Sequence, residues 1–267
     1  AGAPGYVQAH NPDLYRGAYG DRFDGSLAAL TRVIDSSTSG ALAGMIVEPI
    51  QGYGGVIPMP PGYLSEAARI VRAAGGLVVV DEVQTGFGRT GENYWCFEQD
   101  GVVPDAVVLS KGIGNGFPLA ALVVRREVAE AMARRKFFNT YGANPMACAA
   151  GRAVLRAIAD EGLQRNAREV GALFGRTLER VSAHPAVGQV RGRGLMRGIE
   201  FVRDRATREP DADTASRVQE SLRERGVIVG RSGQHRNVLR INPPLCVTAD
   251  DAAHFGEALE AAVLAVG

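Results

Sequence analysis

Of the 30 basic residues in this 267-residue chain, only Lys111 and Lys136 are lysines. A desolvated lysine amine can lose its proton and attack a carbonyl carbon, whereas an arginine guanidinium stays protonated and forms no imine. In a sequence that nearly always uses arginine for positive charge, each lysine therefore asks for a reason. Lys136 ends Arg134-Arg135-Lys136, after the helix-like stretch Glu127 to Ala133, and reads as a solvated helix end. Lys111 follows the apolar run Ala106 to Leu109 and precedes Gly112-Ile113-Gly114-Asn115-Gly116. That placement suits a nucleophilic amine at a strand end, although a plain surface charge also occupies such positions.

Thirty residues before Lys111, Asp81 opens Asp81-Glu82-Val83-Gln84-Thr85-Gly86-Phe87-Gly88-Arg89 at the end of another apolar run, Gly76 to Val80. A carboxylate and a lysine at neighbouring strand ends could hold a pyridine ring between them, the acid keeping the ring nitrogen protonated and the lysine bonding to the aldehyde. Asp-Glu after a strand also fits magnesium binding in a nucleotide hydrolase, or a helix N-cap. The hydrolase reading lacks its phosphate loop, since no G-x-x-x-x-G-K-[ST] occurs. Gly192-Arg193-Gly194 precedes strand-like sequence rather than the helix that a dinucleotide fold requires. There is no G-x-S-x-G elbow, and His10, His184, His235 and His254 share no metal-ligand or triad spacing.

The elements that must position these residues follow from hydrophobic periodicity. After a Gly-, Pro- and Asp-rich start come a helix around Ser26 to Ile34, a strand at Ala43 to Val47, an amphipathic helix at Gly62 to Ala74 and a strand at Gly76 to Val80. Strands at Ala106 to Leu109 and Leu119 to Val124 precede a long Ala-rich helix, Pro145 to Asp160. Strands alternating with helices predict an α/β fold with a mostly parallel sheet, whose ligands bind outside the carboxyl ends of the strands. Beyond Gly162 the pattern is a helix to about Ser182, strands at Val187 to Val190 and Gly198 to Val202, and a helix from Thr214 to Arg225. Strands at Gly226 to Val229 and Val238 to Ile241 and a helix from Ala249 to Val266 complete a smaller α+β domain. The expected division is residues 1–155 and 156–267.

Composition narrows the function classes. Thirty basic against 29 acidic residues leave a net charge of +1, so no global field recommends nucleic acid or an anionic membrane as partner. Cys96, Cys148 and Cys246 are scattered and odd in number, which argues against a disulfide framework or zinc site and for a reducing compartment. No apolar run reaches the roughly 20 residues of a spanning helix, and Ala1 to Asp13 lacks a signal peptide's pattern, so a cytoplasmic location is expected.

Five segments stand out: Glu48-Pro49-Ile50-Gln51-Gly52, Asp81 through Arg89, Ser110 through Pro118, Asn139 through Pro145, and Leu239-Arg240-Ile241-Asn242-Pro243-Pro244-Leu245. Together they resemble the successive motifs of the class III pyridoxal-phosphate aminotransferases. They run in order along nearly the whole chain, with text similar to the alanine:glyoxylate type and to amino-alcohol phosphate lyases on the same scaffold. The resemblance implies a fold-type-I transferase binding pyridoxal 5'-phosphate. Lys111 would carry the cofactor as a Schiff base and shuttle the proton, Asp81 would pair with the pyridinium nitrogen, Val83 would pack on a ring face and Gln84 would bond the ring hydroxyl. Thr140 would bond the phosphate across a homodimer interface. Arg240 would clamp the substrate carboxylate, a role suited to its planar pair of donors, while Arg89, Arg191 and Arg193 read as structural charges.

Two departures refine the expectation. Where ornithine- and aminobutyrate-type members of the family place a glutamate after Gln-Gly, this chain has Tyr53, which lowers ω-amine substrates in favour of simple carboxylates such as alanine with glyoxylate or pyruvate. The family's small N-terminal region, first strands and phosphate-gripping Gly-Ser/Thr loop also lie upstream of anything here, so the chain is expected to start inside the large domain. The leading function is transamination between an amino acid and a 2-oxo acid. The alternatives are a lyase acting on an amino-alcohol phosphate, and a non-catalytic fragment of such an enzyme.

Overall fold

The computed structural model describes residues 5–39, 41–135 and 138–266, so the reading of Lys136 lies outside the described residues. In chain order, the first elements are α1 (Asp24–Ser37), β1 (Gly44–Val47), β2 (Ile50–Gln51), β3 (Ile57–Pro58), α2 (Tyr63–Ala73) and β4 (Leu77–Asp81). Next come β5 (Ala106–Leu109), β6 (Ala121–Val124), α3 (Arg126–Ala133), α4 (Pro145–Asp160) and α5 (Leu163–Val181). The chain ends with β7 (Val187–Arg193), β8 (Met196–Asp204), β9 (Glu209–Pro210), α6 (Ala212–Glu224), β10 (Gly230–Ser232), β11 (Val238–Ile241) and α7 (Ala249–Leu264). Among the described residues no helix is long and apolar enough to cross a membrane.

Two compact units result. One holds 1–49, 59–86 and 95–156; the other holds 50–58, 87–94 and 157–267. Two short segments that the sequence reading kept with the first 155 residues therefore group with the second unit.

The first unit is built on a four-stranded sheet in the order β1-β4-β5-β6. β1, β4 and β5 run parallel, whereas β6 returns antiparallel to β5. The reversal has a simple cause: the link from Leu109 to Ala121 contains only a short 3-10 turn, Lys111–Ile113, and a parallel return needs a crossover of a dozen or more residues, usually a helix. Leu64, Ala67, Ala68 and Val71 recur at helical spacing on α2 and are buried in one cluster with Val78 and Val80 of β4. This is the amphipathic pattern that ties a helix to one face of a sheet.

Asp105 locks the parallel pair β4 and β5. Its backbone N–H donates to the carbonyl of Val78 at 2.8 Å, and its carboxylate accepts the Val78 N–H at 2.9 Å. The same carboxylate pairs with Arg72 of α2 at 3.3 Å and with Arg125 after β6 at 2.9 Å. A buried carboxylate is tolerated when its lone pairs are all used in this way.

The second unit centres on an antiparallel sheet in the order β10-β11-β8-β7, with β9 on β8. Alternation sends Ile199, Phe201, Leu239 and Ile241 into a core shared with Phe174 and Leu178 of α5, Val218 and Leu222 of α6, and Phe255 and Leu259 of α7. The opposite face carries Arg191, Gly198, Glu200, Val238 and Arg240, which the register sets side by side. The strand expected at Gly226 to Val229 is displaced to Gly230–Ser232. Gly226 at φ +80° ends α6, with the Val227 N–H donating to the Leu222 carbonyl. The Gln219 side chain donates to the Val229 carbonyl at 2.7 Å. Those backbone groups are satisfied by the helix cap, so the ladder starts later.

Candidate active site

Asp81 ends β4, and Lys111 follows the end of β5, the parallel neighbour of β4 in which Asp81 is in register with Val108. The structure thus places the two residues at adjacent carboxyl ends within one sheet, where open α/β sheets bind ligands. The sheet pairing locked by Asp105 is what sets them there.

Asp81 is half-buried, and its Oδ1 accepts the Val83 N–H at 2.9 Å in a tight local turn. Among the described residues it forms no ion pair, so one carboxylate oxygen is left for an outside donor. Lys111 is exposed, and its amine has no hydrogen bond or ion pair among the described residues. Its φ of +46° is left-handed, and its carbonyl accepts the N–H groups of Gly114 and Asn115 at 3.1 Å each. Holding a non-glycine residue there costs on the order of 1–3 kcal/mol, a strain found most often at functional sites. Val83 and Gln84, both partly buried, occupy the turn after β4.

Glu82 behaves differently from its neighbour. It is fully buried and accepts from the Thr85 hydroxyl at 2.6 Å and the Phe97 N–H at 2.9 Å. Burial pushes its carboxyl above the ordinary value, with these hydrogen bonds opposing the rise. Strand alternation turns Glu82 into the fold and leaves Asp81, the carboxylate singled out from sequence, at the sheet's edge.

Thr140 lies in the exposed turn before α4. Asn144 caps that helix, its Oδ1 accepting from the N–H groups of Met146 at 3.0 Å and Ala147 at 3.2 Å, with Pro145 as the first helical residue. The Thr140 hydroxyl has no partner among the described residues.

Arg240 belongs to the second unit, on the polar face of its sheet. It makes no ion pair among the described residues, and its guanidinium carbon lies 5.8 Å from the centroid of the Tyr53 ring, a cation–π arrangement. Tyr53, read from sequence as a departure from a pattern, is therefore a direct neighbour of the residue read as the clamp. Arg89 donates to the carbonyl of Pro243, just beyond β11, and burial pulls its guanidinium down to about 10.

The donor set at the two strand ends, a carboxylate with a free oxygen beside a free primary amine, suits a ring with a basic nitrogen and an aldehyde. The amide of Gln84, in the turn after β4, adds a neutral polar group of the kind that bonds a ring hydroxyl. No cluster of three or more metal-ligating side chains exists among the described residues.

Comparison with known proteins agrees with this chemistry. The model of the family described as aminotransferase class-III matches residues 3–263. An alanine–glyoxylate aminotransferase 2 homologue from Arabidopsis thaliana, named as mitochondrial, is 47% identical over 253 residues, covering 94% of this chain and 53% of its own length. The human mitochondrial alanine–glyoxylate aminotransferase 2 is 42% identical over 233 residues, 86% of this chain and 45% of the relative. Among solved structures, a phospholyase from Arthrobacter in complex with phosphoethanolamine superposes with a TM-score of 0.87 at 36% identity, covering 92% of this chain and 59% of that one. The chain spans about half the length of the curated relatives it matches.

Proposed function

Because this chain belongs to the class III aminotransferase family, we propose that it carries the catalytic residues of an enzyme that uses pyridoxal 5'-phosphate to move an amino group between an amino acid and a 2-oxo acid such as glyoxylate or pyruvate. The observation that carries the reading is the pairing of Asp81 and Lys111 at the ends of adjacent parallel strands. When bound, the cofactor supplies an electron sink for the bond broken at the substrate's α-carbon.

The chain's own residues then have distinct tasks. The Asp81 carboxylate holds a proton on the ring nitrogen, the condition for electron withdrawal. The Lys111 amine would be the group that holds the cofactor's aldehyde, and as a free base it would move a proton at the substrate's reacting carbon. Val83 packs on the ring and Gln84 bonds its hydroxyl. Thr140 reaches the phosphate from the second copy of a homodimer. Arg240 offers a carboxylate two parallel donors, and the Tyr53 ring over it supports a preference for simple carboxylates. The three cysteines are free, which supports a reducing compartment such as the cytoplasm.

Borohydride reduction of the cofactor-loaded protein, followed by peptide mapping, should place the adduct on Lys111. An adduct at Lys136, or none, would overturn the assignment. The likeness to a phosphoethanolamine-bound phospholyase favours one second reading, a lyase acting on an amino-alcohol phosphate. Release of phosphate and ammonia from phosphoethanolamine without any oxo acid would select it.

A further inference from the structure

The hairpin β2–β3 lies on the polar face of the second unit's sheet. Its tip, Gly52 to Val56, is held in an unusual shape. Gly55 has φ +126° and Val56 has φ +53° with its side chain fully buried. A β-branched residue in the left-handed region is an outlier that surrounding structure must enforce. A Cβ at Gly198 of β8 would come within 3.1 Å of the Val56 Cβ and 3.3 Å of the Gly55 carbonyl oxygen, so the bare backbone at 198 is what lets the hairpin settle.

One side chain holds this shape. Arg191 of β7 donates through Nε to the carbonyls of Gly55 at 2.9 Å and Val56 at 3.2 Å. Its other end pairs with Glu200 of β8 at 2.6 Å, with side-chain exposures of 8% and 2%, and also donates to the Gln189 amide oxygen at 2.7 Å. Glu200 in turn accepts from Asn237 at 3.3 Å. This is a buried ion pair whose arginine uses both Nε and a terminal nitrogen, which specifies one geometry more than it adds stability. What it fixes is the loop bearing Tyr53, the residue whose ring covers Arg240. The Tyr53 carbonyl also accepts the N–H of Gly233, just after β10, at 3.1 Å.

We infer that Arg191, oriented by Glu200, is a positioning residue that holds Tyr53 over Arg240 and thereby sets how the Arg240 guanidinium presents itself to a substrate carboxylate. The inference rests on the proposed role of Arg240 and adds the device that controls it. The Arg191 side chain is itself buried. Its effect passes through the carbonyls of Gly55 and Val56 to the Tyr53 ring.

The test uses the cofactor-loaded full-length protein and variants graded in severity. Arg191→Lys keeps the charge beside Glu200 but loses the Nε–H that reaches both carbonyls. Removing Arg191 alone would strand a buried carboxylate, so the severe variant is the pair Arg191→Met with Glu200→Leu, which replaces the ion pair by apolar groups and preserves folding. Two readouts are taken. Amide hydrogen exchange at Gly55, Val56 and Gly233 should quicken by about ten-fold or more in the double variant, and less in Arg191→Lys. In single-turnover half-reactions, the half-saturating concentration of L-alanine should rise about ten-fold in the double variant with a limiting rate within about two-fold, while that of 1-phenylethylamine, which has no carboxylate, stays put.

Arg240→Gln separates the two levels of the reading. If it leaves the alanine half-saturation unchanged, the carboxylate role of Arg240 fails, and this inference with it. If Arg240→Gln selectively weakens alanine but the Arg191 variants do not, or if they weaken both amines alike, the positioning role alone is overturned. Unchanged exchange at Gly55, Val56 and Gly233 would overturn it as well.

Discussion

Replacing Asp105 by alanine should destabilise the first unit by about 2–3 kcal/mol, and the structure says how that figure divides. The Val78 N–H, now paired at 2.9 Å with the Asp105 carboxylate, would be left in a buried site without an acceptor, at about 1–3 kcal/mol. The two arginines count for far less. Arg72 and Arg125 have side chains 40% and 53% exposed, so water replaces their partner, and each pair contributes at most about 0.5 kcal/mol after solvent screening. Asp105→Asn offers an internal control, because its amide oxygen can still accept the Val78 N–H and only the charge is lost, at about 1 kcal/mol or less. The assay is urea unfolding followed by tryptophan fluorescence. Trp95 is the only tryptophan in the sequence and lies in the first unit, so the signal reports the unit that is perturbed. The alanine variant should melt roughly 5–10 °C lower as well. Equal losses in the two variants, or a loss below about 1 kcal/mol in Asp105→Ala, would refute the assignment of the cost to the orphaned amide.

Lys111→Arg should abolish turnover while keeping charge and fold, because arginine cannot make the covalent link or return the proton; single-turnover kinetics with matched circular dichroism would check it. Asp81→Asn should retain cofactor yet cut turnover severely, since a neutral amide does not hold the ring nitrogen protonated, and near-normal rates would remove Asp81 from that role. Arg240→Lys should weaken carboxylate donors by roughly 1.5–3 kcal/mol, one charged hydrogen bond, with little effect on amines lacking a carboxylate. Glu82 gives a pH signature: its carboxyl is raised above 4.5 in the fold, so its contribution to stability is present below that value and is lost as pH rises through the folded pKa. Glu82→Gln keeps an acceptor for the Phe97 N–H and can donate to the Thr85 hydroxyl instead of accepting from it, so its stability should gain on that of the parent as pH rises above about 4.5. A gap independent of pH in denaturant titrations would contradict this.

The parts of the site that sequence could reveal are those whose residue type is itself uncommon. Lysine is rare in this chain and is the basic side chain able to form an imine, which makes Lys111 a candidate by type, and the apolar runs before it and before Asp81 mark both as strand ends, where the structure has them. The hairpin at 50–58 was invisible because its strands are two residues long and one contains Pro58, too short for any periodicity. Arg191 was hidden for the opposite reason: among 28 arginines, type says nothing about burial. Its signal was positional, an arginine and a glutamate nine residues apart across the tight turn Gly194-Leu195, which antiparallel pairing brings to one face. The misplaced strand at Gly226 to Val229 shows the limit of β-branched texture when a helix cap claims the same backbone groups.

The hairpin at 50–58 and the turn at 87–94 are threaded through the first unit's sequence but group with the second. During synthesis on a ribosome, Pro58 emerges 129 residues ahead of Val187, the first residue of the sheet on which the hairpin rests. At roughly 5–20 residues per second that is a wait on the order of ten seconds, during which Val56, fully buried in the finished protein, is without the strand β8 against which it packs. The first unit can close around β1, β4 and β5 in that interval with its loops still open. The loop that covers Arg240 is thus made early and can take its final shape only late, once β7 and β8 supply Arg191 and the bare backbone of Gly198.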